Sequence, residues 1–196
     1  MQQSHVIPSP RSFACDLATL CAPTLAGLKP ASLFRYQPAP GQDAAAMAAA
    51  WHAALSPRGV TVRVLKQCPR TGAVLVYVYR PARVARLLAA PHMLDFLAGE
   101  GYIPGTADEL LDQLAERLCC EGDFPHEIGV FLGYPLSDVV GFIENSGRNF
   151  TCCGCWKAYG DPNAARRHFA QLSKCTAVYL RLFHSGTPIS RLAVAA

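Results

Sequence analysis

Val60-Thr61-Val62-Arg63-Val64-Leu65, Pro69-Arg70-Thr71-Gly72 and Ala73-Val74-Leu75-Val76-Tyr77-Val78-Tyr79-Arg80 follow one another in the first half of the chain. The first segment alternates apolar and polar residues, as a strand with one buried face does. The third is rich in Val and Tyr, residues that suit a pleated surface. The proline and glycine between them mark a turn too short for a parallel crossover. The three segments therefore predict an antiparallel hairpin at the centre of the fold.

Working outward from that hairpin, Ser32–Tyr36 reads as a strand and residues 37–42, with two prolines and a glycine, as a loop. Asp43 is placed to cap an Ala-rich helix to Leu55, and Ser12 a first helix to Leu20. Thr24 reads as the cap of a short helical turn to Leu28. Downstream, Pro81 and Pro91 open two helices, and Thr106–Glu109 has the form of a capping box. Glu127–Leu132 is almost wholly apolar and is expected to be a strand buried on both faces. Leu136, Val139, Val140 and Ile143 recur at helical spacing, and Asn149–Tyr159 is expected to be the next strand. Asp161-Pro162 starts a helix carrying Ala165, His168, Phe169 and Leu172 on one stripe, and Thr176–Phe183 a further one. The sum is an α+β domain over residues 11–196, with about five strands in a mixed or antiparallel sheet flanked by helices. Residues 1–10 form an expected disordered lead-in.

The chain has 196 residues, of which 51% are apolar and 16% charged, a balance that suits one well-buried domain. A net charge of +4 is too small to point to nucleic acid, and Arg80, Arg83 and Arg86 are expected to form a solvated face. The longest apolar runs are too short to cross a bilayer, so no membrane partner is expected. Nine cysteines without an export signal suggest free thiols in the cytoplasm.

Phosphate-loop, dinucleotide, serine-hydrolase and zinc-protease signatures are all missing from the sequence. Three other constellations can carry chemistry. Cys21 precedes a short helix whose unpaired amides would favour a thiolate, and His126 with Glu127 or Asn145 as orienter would complete a Cys-His hydrolase or transferase. The ordinary alternative is that Cys21 packs in the core and His126 caps its own element. Cys152, Cys153 and Cys155 suit a soft metal or a redox dithiol, with Cys119, Cys120, His168 and Cys175 as further donors, but residues three apart on a strand face opposite ways. No metal ligand set is assigned, and no cofactor is identified. Gly133-Tyr134-Pro135, with Asn145 and Lys157 nearby, suits a pocket for a small molecule or a protein partner.

Cys21–Pro30, His126–Pro135, Gly141–Asn145, Cys153–Tyr159 and Lys174-Cys175 together resemble a bacterial family known as domain of unknown function 3793. Members have Cys-Gly-Tyr-Trp-Lys-Val-Tyr where this chain has Cys153-Gly154-Cys155-Trp156-Lys157-Ala158-Tyr159, so Cys155 is a departure that weakens the metal reading. The resemblance implies a cytoplasmic bacterial protein and brings no activity with it. A binding module for a small molecule or protein is the expected function, with the thiol enzyme and the soft-metal or redox protein as alternatives.

Overall fold

A computed structural model of the chain describes residues 12–119 and 124–195, so the expected lead-in lies outside the described residues. The central hairpin forms as the sequence predicts. β2 (Thr61–Gln67) and β3 (Val74–Tyr79) pair antiparallel, and β1 (Ala31–Tyr36) pairs antiparallel with the other edge of β3, giving the order β1-β3-β2.

The two faces of β3 explain why it is apolar throughout. Val74, Val76 and Val78 face one core layer with Phe34, Tyr36 and Val62, beneath α1 (Phe13–Leu20) and α3 (Ala44–Leu55). Leu75, Tyr77 and Tyr79 face the other, beneath α4 (Pro81–Leu88), α5 (Pro91–Gly99) and α6 (Ala107–Arg117). Alternate side chains of a strand point to opposite faces, so a strand covered on both sides loses its polar set. Leu110, Leu111 and Leu114 of α6 are fully buried, roughly 1.5–3 kcal/mol of hydrophobic stabilisation each. A bulge between Val64 and Lys66 lets the Lys66 ammonium reach the Ala115 and Glu116 carbonyls at the C-terminal end of α6, where positive charge is favoured.

Helix starts follow their capping residues. Ser12 accepts from the Cys15 amide, Asp43 from Ala45 and Ala46, Asp161 from Asn163, and Thr106 with Glu109 closes a reciprocal box. The short α2 (Ala22–Leu25) is held differently. Arg80, 4% exposed, donates to the carbonyls of Thr24, Leu25 and Val194, tying that turn to the carboxyl-terminal segment after α10 (Ile189–Leu192). Arg80 is therefore an internal tie, and only Arg83 and Arg86 of the expected solvated stripe are exposed.

Three expectations are corrected. Glu127–Leu132 is not a strand: α7 (Ile128–Phe131) is a single helical turn, closed by Gly133 at φ +77° with bonds from Leu132 to Ile128 and from Tyr134 to Gly129. Its residues are buried on all sides, and such a run carries no period to separate helix from strand. Asn149–Tyr159 is not one strand but a hairpin of β4 (Cys152–Cys153) and β5 (Lys157–Ala158), reversed at Gly154, whose amide donates to the Trp156 carbonyl. Sheets of three and two antiparallel strands thus replace one of about five. Finally, α9 (Pro162–His184) runs unbroken through residues expected to form two helices.

Candidate functional site

Two pieces of backbone bring the candidate site together. α8 (Leu136–Glu144) places Asp138 and Phe142 one turn apart on one face, and the β4–β5 hairpin lays Trp156 and Lys157 against that face. Gly141 permits the approach, because a Cβ there would lie 2.5 Å from Cγ of Tyr159. Asp138, 6% exposed, fixes the hairpin. Its Oδ2 accepts the Trp156 indole N–H at 2.8 Å, and its Oδ1 accepts the amides of Tyr159 and Gly160 at 2.8 and 3.2 Å.

Trp156 is held from three further sides. Tyr134, delivered by the Gly133 turn, stacks on it with centroids 4.6 Å apart and 21° between planes. Phe169 meets it edge-on at 4.6 Å and His168 at 5.5 Å. Beside this cluster opens a cavity of about 330 Å³, walled by Tyr134, Phe142, Trp156 and Val139 and edged by His126, Cys153, Cys155 and Lys157. The exposed His126 ring stands edge-on to Phe142 at 4.8 Å. The Lys157 ammonium donates to the Gly147 carbonyl at 2.8 Å and lies over the rings of Phe142 and Phe150. That bond uses one of its three donors.

Of the residues singled out in the sequence, His126, Tyr134 and Lys157 share this cavity. Gly133 shapes the turn beside it and packs on Pro30, leaving no room for a side chain. Asn145 caps its own helix, donating to the Gly141 carbonyl and accepting from Asn149. Glu127 turns inward at 7% exposure, accepting from the Tyr102 hydroxyl at 3.1 Å and pairing with Arg117 at 3.6 Å. Cys21 is fully buried beneath α1, whereas Ile128 and Val139 of the His126 cavity belong to the opposite core layer. Burial also pushes the Cys21 thiol well above its ordinary 9.0. No hydrogen bond joins it to His126.

The cysteine cluster is split as well. Cys152 packs with Ala158 and Phe169, while Cys153 and Cys155 are exposed. Among the described residues no group of three or more His, Cys, Asp and Glu side chains is arranged to hold a metal ion. Cys120 lies outside the described residues.

Sequence reasoning missed Asp138, Phe142 and Lys29. Lys29 lies over the Tyr134 ring at 5.1 Å, and desolvation, opposed by the nearby Cys155, lowers its pKa from 10.5. Burial raises the Tyr134 hydroxyl in the same region. The one local signal for Asp138 was a carboxylate in the first turn of an apolar helix, which reads equally as a helix-dipole partner.

Among the described residues no helix is long and apolar enough to cross a membrane. No curated protein and no solved structure matches the chain. Residues 17–193 match the family described as Protein of unknown function (DUF3793), and the chain belongs to that family.

Proposed function

We propose that the protein is a binding module for a small planar molecule carrying an acidic group, held in the cavity between α8 and the β4–β5 hairpin. One observation carries this reading: flat aromatic walls from Tyr134, Phe142 and Trp156 meet the basic edge of His126 and Lys157. Asp138, the one carboxylate in the lining among the described residues, already accepts three hydrogen bonds, so it does not compete with an incoming acid for donors. Such a site supplies apolar area for affinity and a few polar groups for orientation, the usual division in small-molecule pockets. The exposed thiols of Cys119, Cys153 and Cys155 suit a reducing setting, which we take to be the cytoplasm.

A library of small aromatic carboxylates, screened by thermal shift against the full chain, tests the reading. Hits are expected to lose at least about fivefold in affinity with His126→Ala or Lys157→Met, each removing a charge-assisted contact. A library without hits, or hits indifferent to both substitutions, would overturn it.

A further inference from the structure

A second cleft, of about 380 Å³, shares Trp156 with the aromatic cavity but takes its other walls from elsewhere. Lys29 comes from the segment before β1, Arg83 and Arg86 from α4, Gly133 from the turn after α7, and His168 from α9. Three elements thus deliver three cations and an imidazole to one concavity, and its lining contains no aspartate or glutamate among the described residues. No carboxylate among the described residues forms an ion pair with Lys29, Arg83 or Arg86.

The crowding of like charge extends below the cleft. A Cβ on Gly27 would lie 3.7 Å from both Nε of Arg80 and a terminal nitrogen of Arg83, so two guanidinium groups approach each other over that glycine. Arg80 is committed to three carbonyls, while no acid among the described residues pairs with Arg83. Positive groups gathered without a counter-charge repel one another, and the repulsion is relieved when a multivalent anion enters. Guanidinium forks match phosphate oxygens in pairs, and a lysine adds a compact charge.

We propose that this cleft binds the phosphoryl group of a small phosphorylated molecule, with Lys29, Arg83 and Arg86 supplying the counter-charge. Desolvation already lowers the Lys29 ammonium from its ordinary 10.5, and a dianion beside it would restore it. The cations occupy one concavity of small-molecule size rather than a stripe, which favours a small ligand over a polynucleotide. The indole of Trp156 and the half-buried His168 ring flank the phosphate position and offer a surface for whatever the phosphate is attached to.

Isothermal titration calorimetry of the full chain with inorganic pyrophosphate, phenyl phosphate and a single-stranded oligonucleotide tests the proposal. Saturable binding of pyrophosphate or phenyl phosphate is expected with Kd below about 1 mM. Tighter phenyl phosphate would identify an organic ester as the ligand, and equal affinities an inorganic anion. Either result supports the site. The double substitution Arg83→Ser with Arg86→Ser alters two exposed positions, so the unfolding midpoint is expected to hold while affinity falls at least about tenfold. Lys29→Met is expected to weaken pyrophosphate binding as well. Absence of phosphate binding, affinity indifferent to the double substitution, or binding of the oligonucleotide alone would overturn the proposal.

Discussion

Trp156 donates its indole N–H to Oδ2 of Asp138 at 2.8 Å, across 18 residues of sequence. The same carboxylate accepts two backbone amides, so one buried side chain fixes both the aromatic wall of the cavity and the strand that carries Lys157. Asp138→Ala leaves three donors without an acceptor and is expected to cost about 2–4 kcal/mol. Denaturant unfolding measures the loss, and a change below 0.5 kcal/mol, typical of a surface position, would contradict the role.

Gly141 sits inside α8, where alanine ordinarily stabilises a helix by about 1 kcal/mol over glycine. The contact with Tyr159 reverses the sign. Gly141→Ala is expected to destabilise by about 1–3 kcal/mol, the range for overpacking a filled core. Thermal unfolding of the single variant checks it.

Glu127 is expected to separate stability from binding. Replacing it by Ala leaves the Tyr102 hydroxyl without its acceptor and removes the ion pair of Arg117, which keeps the Glu100 and Gly101 carbonyls, at an expected cost of about 1–3 kcal/mol. Ligand affinity at the neighbouring His126 cavity should be unchanged under folding conditions. Affinity lost along with stability would return Glu127 to the site.

Cys21 predicts both a reactivity order and a pH dependence. Alkylation of the native protein should modify the exposed Cys153 and Cys155 rapidly and leave Cys21 intact, as peptide mapping would show. Burial raises the Cys21 pKa in the folded state, so the thiol keeps its proton there while the unfolded chain loses it near 9.0. The stability this represents is full below about pH 9 and declines as pH rises toward the raised folded value. Tyr77, also held above its ordinary 10.0 by burial, acts in the same direction. Stability that increased between pH 9 and 11 would contradict this assignment.

The sequence made the three-stranded sheet legible because each strand boundary coincides with a turn residue and four of the helices open at a capping side chain. Ser12, Asp43, Thr106 and Asp161 announce their helices by chemistry local to the chain. Residues 128–131 had no such marker, and reading them as a strand misplaced their neighbours. In the helical turn that forms, Glu127 faces the core while the adjacent His126 stays exposed. Sequence adjacency therefore suggested a His-Glu pair that the backbone separates. Trp156 and Lys157 were visible as residue types, but the contacts that place them come from Asp138, Tyr134 and Gly147, each distant in sequence. Contacts of that kind leave no periodic trace.

The central claim is that a small planar acid binds against Trp156, and the indole N–H resonances test it most directly. The chain has two tryptophans, and Trp51 packs in the other core layer, 6.4 Å from Phe13, where it serves as an internal control. Titration of ¹⁵N-labelled protein with the aromatic carboxylates is expected to move the Trp156 indole signal saturably and leave that of Trp51 in place. Lys157→Met should shift the titration midpoint upward at least about fivefold. A Trp156 signal unmoved by every compound, or moved equally in the variant, would contradict the account.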